Sequence, residues 1–211
     1  MQTHEFQSIQ KSAVYRLIDH RQTPLSPKGT GNPRPALAID CEMVEVTGKR
    51  SEVVRLSVVD FLTGVEIINK YVMPDGKVTN WRSWVSGVDE NTLKNTPKHE
   101  ILDGWESARA ELWKCMDGDT ILVGHALNYD LDALRMVHHS IVDSAILAQK
   151  AISPGCKKSV GLKNLCHSLL GKNIQATKFG HSSLEDALAA REVVLCILQH
   201  PDSLQEWASQ Q

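Results

Sequence analysis

In the run ALAIDCEMV, residues 36 to 44, two carboxylates interrupt an otherwise apolar stretch. The flanking Ala36, Leu37, Ala38, Ile39, Met43 and Val44 predict a short strand buried on both faces, where an unpaired carboxylate would cost several kcal/mol. Side chains alternate along a strand, so Asp40 and Glu42 point the same way, roughly 6 to 7 Å apart along the chain. Two carboxylates converging at a strand end predict a bound cation.

The chain around this run can bury a substantial core in a single domain, with 211 residues of which 42% are hydrophobic. Its 23 basic and 25 acidic side chains leave a net charge of −2, so it lacks the overall basic signature of a nucleic-acid binder. An acidic metal site would hide local basic patches in that sum. The five cysteines are scattered with no C-x-x-C pair, which predicts reduced thiols and an intracellular protein of the nucleus or cytoplasm. The polar N-terminus and the lack of any apolar run near about 20 residues argue against a secretory signal and a membrane span.

Periodicity divides the sequence into a helix and Pro/Gly-rich linker over residues 1 to 35, a domain over 36 to 200 and a tail over 201 to 211. After the first strand, 52 to 60 and 65 to 73 read as an antiparallel hairpin turning at Leu62-Thr63-Gly64. An irregular stretch, 74 to 98, precedes a helix over 99 to 116, a strand at 120 to 124 and a helix over 127 to 137. A strand at 141 to 143 and helices near 145 to 151, 161 to 170 and 183 to 199 complete the pattern. This order predicts an α/β layer fold, a mixed five-stranded sheet flanked by helices.

Two later stretches repeat the pairing of a structural element with acidic residues. In TILVGHALNYDLDAL the strand ends at Gly124, Asn128 is available as a cap, and Asp130 falls in the first helical turn. Asp132 lies roughly 200° around the helix from Asp130, which assigns Asp130 to the sheet edge and Asp132 to solvent. In GHSSLEDA, Ser182 and Glu185 have capping-box spacing, Asp186 closes the first turn, and His181 precedes the helix as a general base backed by a carboxylate. Asp143 reads as the cap of the next helix. His138-His139 and Cys166-His167 lack a second pair at zinc spacing, and Lys157-Lys158 with Lys163 form either a phosphate-facing patch or a solvated face.

DCEMV (40 to 44), VTNWRSWVSGV (78 to 88), ILVGHALNYDLDAL (121 to 134) and GHSSLEDA (180 to 187) together resemble the DEDDh 3′ to 5′ exonucleases of the ribonuclease H-like superfamily. Within them the match is closest to the RNA exonuclease 4 and interferon-stimulated exonuclease group. The resemblance implies a metal-dependent exoribonuclease that releases nucleoside 5′-monophosphates from single-stranded RNA with a free 3′ end. It implies Asp40, Glu42, Asp130 and Asp186 as ligands of two divalent cations, magnesium or manganese, and His181 as general base. It further implies Met43 as a wedge against the terminal base, and His125, Trp81 and Arg82 as contacts to the terminal nucleotides, with Arg82 reading a ribose 2′-OH. Glu45 stands where the family usually has glycine. A DNA-directed exonuclease and a silent nucleic-acid-binding module stand as alternatives, as do two buried tryptophans at 81 and 84 in place of a groove lining.

Overall fold

The computed structural model describes residues 19–25, 33–155, 159–176 and 180–211. Most of the helix and linker expected over 1 to 35, and Lys157-Lys158, lie outside the described residues. In chain order the elements are β1 (Arg21–Gln22), β2 (Ala36–Val46), β3 (Arg50–Asp60), β4 (Glu66–Met73), β5 (Val78–Asn80), α1 (Ser83–Ser86) and α2 (Glu90–Asn95). A 3-10 turn (Lys98–Glu100) leads to β6 (Ile101–Asp103), α3 (Gly104–Leu112), β7 (Ile121–Gly124), α4 (Asn128–Ala133), β8 (Met136–Val137) and β9 (Ile141–Asp143). Helices α5 (Ser144–Ile152), α6 (Leu162–Leu170), α7 (Ser183–Gln199) and α8 (Pro201–Ala208) follow.

The sheet runs β6-β4-β3-β2-β7-β9, with β5 pairing the far end of β2. Its middle, β4-β3-β2-β7-β9, is the mixed set the sequence predicts, and the three-residue strands β5 and β6 widen it to seven. β3 runs antiparallel to both β2 and β4, while β7 runs parallel to β2 and β9 parallel to β7. β2 lies at the centre and alternates its faces. Leu37, Ile39 and Cys41 join Trp105 and Leu112 of α3, Leu131 of α4 and Leu127 just before it in one core. Ala36 and Ala38 face the other way, where their small side chains admit Val194 of α7. A separate cluster packs α5 to α8 together.

Several boundaries differ from the periodicity. The helix expected over 99 to 116 begins at Gly104, because Ile101 to Asp103 pair with β4 instead. The helix expected over 127 to 137 stops at Ala133, and Arg135 takes φ 48° before Met136 and Val137 pair in parallel with Arg21 and Gln22. Residues 19 to 25, within the segment read as helix and linker, thus lie against the domain: Thr23 N–H reaches the Val137 carbonyl, and the buried His138 ring meets Thr23 Oγ1 at 3.1 Å. The expected tail is a helix, α8, started by Pro201 and burying Leu204 and Trp207 against α5 to α7. The irregular stretch 74 to 98 contains β5, α1 and α2, the last opened by a capping box of Asp89 and Thr92.

Candidate active site

The alternating row on β2 that starts with Ala36 and Ala38 continues as Asp40 and Glu42, and α7 lies over it. The first turn of α7 delivers Asp186, so that one oxygen each of Asp40, Glu42 and Asp186 lie within 4.8 Å of one another. The crossing is pinned by a buried contact of 2.8 Å between Ser183 Oγ on the helix and Ser57 Oγ, whose residue is the cross-strand partner of Asp40. A bulge falls between Glu42 and Met43, and such irregularities re-aim side chains beside active sites.

The carboxylates strain against one another. Burial, reinforced by the charges of Asp130, Asp186 and Glu42, holds the Asp40 carboxyl well above its ordinary range. Burial and Asp186 push Glu42 up to about 8, against the opposing pull of the Arg55 guanidinium. Asp186 is raised by burial, with Gln175 and His181 pulling it back. Buried carboxylates that repel one another and converge on a point fit a hard divalent cation, whose charge offsets both effects.

Asp130 is buried beside Asp40 but is not among the three converging residues. β7 stops pairing with β2 at Ala38, which leaves the edge of β2 open beyond it; there Cys41 N–H donates to Asp130 Oδ1 at 2.8 Å. The Asp130 charge also raises Asp40, the residue before Cys41 on β2. Asp132 is exposed, as its helical position predicts, and meets His20 at 3.4 Å. The caps are arranged differently from expectation. Asn128 does not cap α4; instead the Asp143 carboxylate accepts from Ala126 N and Leu127 N, both at 2.9 Å, while also capping α5. Ser182 makes no side-chain cap on α7, and Glu185, the other half of the expected capping box, accepts from Gln175 N–H instead.

His181 lies just before α7 with Nδ1 3.7 Å from Asp186 Oδ2 and its side chain 37% exposed. Its N–H donates to the Val85 carbonyl of α1 at 2.6 Å. Gly180 makes this approach feasible: φ is +90°, and a Cβ there would collide with the Gly87 backbone. The VTNWRSWVSGV segment therefore holds the histidine in place, a role its sequence did not disclose.

The four residues expected to touch substrate fall in different settings. Met43 is half-buried against the core beside the bulge. Trp81 packs partly buried on Val44, Val46 and Val88, as a core residue does, whereas Trp84 is 79% exposed, so the pair of buried tryptophans is not found. Arg82 takes φ 48° and donates to Glu45 Oε2 at 3.1 Å and to Ser51 Oγ at 3.4 Å. His125 is held by Ser144 Oγ at 2.9 Å, and burial lowers its pKa. Tyr129, beside Asp130, is an exposed aromatic that sequence reasoning passed over. So is Gln175, in a loop without periodicity, whose amide reaches Asp186.

A family model described as exonuclease matches residues 37–194. The chain belongs to the exonuclease family. It is 42% identical over 158 residues to RNA exonuclease 4 of Gibberella zeae, covering 72% of this chain and 46% of that protein. It is 32% identical over 161 residues to RNA exonuclease 3 of Candida albicans, covering 75% and 37%. The exonuclease chain thus spans less than half the length of these relatives. Its fold is that of the Pan2 catalytic unit of Neurospora crassa, with a TM-score of 0.73, 21% identity and coverage of 90% of this chain and 32% of that one. A Saccharomyces cerevisiae Pan2 module solved in complex with AAGGAA RNA aligns with a TM-score of 0.72, 22% identity and coverage of 91% and 34%. The fold is the ribonuclease H-like α/β arrangement. Among the described residues no helix is long and apolar enough to cross a membrane.

Proposed function

We propose that this chain is a metal-dependent 3′ to 5′ exoribonuclease of the DEDDh type. The observation that carries the reading is the convergence of Asp40, Glu42 and Asp186 with His181 at their margin and Asp130 beside Asp40. Asp40, Glu42, Asp186 and Asp130 would hold two divalent cations, magnesium or manganese. Cations so held orient the attacking water and stabilise charge on the leaving 3′ oxygen of a phosphodiester.

The protein's own residues supply the rest. His181, with Nδ1 towards Asp186, has Nε2 left to accept the proton of the attacking water, and docking on Val85 sets its reach. That step requires the neutral imidazole. Met43 at the bulge abuts the terminal base, and Arg82 donates to the terminal ribose or phosphate once its guanidinium turns from Glu45. His125 acts from behind, ordering the loop that precedes Asp130. RNA is favoured as substrate by the names of the relatives and by the RNA bound to the Pan2 module. The products are nucleoside 5′-monophosphates.

The test is degradation of a 5′-labelled RNA and the matching DNA by the full chain, with magnesium, with manganese and with chelator. A ladder shortening from the 3′ end, faster on RNA and abolished by chelator, is expected. Equal or faster cleavage of DNA would move the assignment to a DNA-directed enzyme, and absence of cleavage under every condition would leave a binding module.

A further inference from the structure

Asp186 has a partner that the reaction does not require. The side-chain amide of Gln175 places Nε2 3.1 Å from Oδ1 and 3.0 Å from Oδ2 of Asp186. Only the NH₂ end can sit there, since the amide oxygen would face two carboxylate oxygens. The contact is a built one. Gln175 takes φ 55°, a left-handed conformation that a side chain larger than glycine adopts only at a cost. Its neighbour Ile174 is buried in the cluster of α5 to α8, and its own N–H donates to Glu185 Oε2 at 3.0 Å. These two anchors hold one amide against the carboxylate in the first turn of α7.

We propose that Gln175 is a positioning residue for the metal centre, its amide holding the Asp186 carboxylate turned towards Asp40 and Glu42 so that a divalent cation meets a preformed ligand. This rests on the assignment of Asp40, Glu42 and Asp186 as ligands made above. Partners behind metal ligands fix the ligands' orientation and are worth about 10- to 100-fold in metal affinity. Each carboxylate oxygen has two lone pairs, so Asp186 can serve the amide and a cation together. The opposite role is a plug, in which the amide takes the cation's place and must be displaced. The two roles predict opposite signs.

The experiment is a Mn²⁺ titration of the full chain by calorimetry for wild type, Gln175→Ala, Gln175→Met and Asp40→Ala, with activity measured across manganese concentration. Methionine keeps the length of the side chain and removes its donors. For both Gln175 variants the Kd for Mn²⁺ is expected to rise by about tenfold or more. Turnover at saturating manganese should recover most of its wild-type value, a separation that general loss of structure would not produce. A Kd that falls in either variant shows a plug and overturns the proposal. An unchanged Kd overturns it as well, and Gln175→Met binding like wild type while Gln175→Ala does not would assign the residue to packing. In all three cases Asp40→Ala still weakens binding in its own right. Equal Mn²⁺ binding by Asp40→Ala and wild type would instead overturn the ligand assignment itself, and this proposal with it.

Discussion

Asp40 and Glu42 sit on the central strand of a seven-stranded sheet, whereas Gln175 and His181 sit on the connection that leads into α7. The first pair is placed by the ladders of β2 with β3 and by burial against α7, so its position is set by many groups at once. The second pair is placed by a few identifiable contacts: His181 N–H to Val85, Gln175 N–H to Glu185, and the Gly180 backbone against Gly87. Charge that must be crowded together at an energetic cost is best held by a rigid sheet. A base that must approach and leave a water is better held by a local, separable clamp.

The contrast can be broken most severely at the sheet. Asp40→Ala is expected to abolish hydrolysis of RNA while leaving the metal-free protein at least as stable as wild type, since it removes the most crowded carboxylate. Rate and melting midpoint measured together check this; near wild-type activity in magnesium would show that Asp40 holds no metal. On the other side, His181→Ala should lower turnover by roughly 10²- to 10⁴-fold with Mn²⁺ affinity nearly unchanged. Loss of metal affinity in that variant would make the histidine a ligand instead of a base.

Gly180→Ala tests the clamp alone. The added Cβ meets Gly87 and must push the histidine connection outward, and misplacement on the order of 1 Å costs up to about 10²-fold in rate. Melting should change far less than rate, because the collision lies outside the main core. Arg82→Ala should cost about tenfold in kcat/KM on RNA and less on the matching DNA if the guanidinium reads the 2′-OH. An equal loss on both would limit Arg82 to phosphate or to its pairing with Glu45.

The smallest expected effect concerns pH in the absence of metal. Glu42 is raised from 4.5 to about 8, so the folded protein keeps a proton that the unfolded chain releases at lower pH. That contribution to stability is fully present below about pH 4.5 and is lost as pH rises through about 8. In chelator the melting midpoint should therefore fall over this window, by an amount on the order of a few degrees, and saturating Mn²⁺ should remove the decline. A midpoint with the same pH dependence in chelator and in manganese would show that these carboxylates do not hold the cation.

How legible the site was varied with the range of the interactions involved. Asp40 and Glu42 could be read because a two-residue period and an apolar context are local properties, and Asp130 was preferred over Asp132 from helical angle alone. Glu185 had the spacing of a capping box yet pairs with Gln175, because a distant N–H competes for the same carboxylate. Asn128 likewise lost its cap to Asp143, 15 positions along the chain. Gln175 and the docking of Gly180 on Gly87 left no periodic trace.

By itself the sequence determined the strand order's raw material: which segments alternate every two residues, which repeat at helical spacing, and which carboxylates interrupt them. It also placed the chain's four motifs in one order, because motif residues are read one after another. Only the tertiary structure decided that α7 crosses β2 over the row of Ala36, Ala38, Asp40 and Glu42, that Asp130 reaches the edge β7 leaves open, and that residues 201–208 are a helix with one face packed on the domain. Those outcomes depend on small side chains admitting a helix, on a strand ending early and on surfaces meeting from far apart. Each is a property of two segments together, so neither segment's sequence contains it.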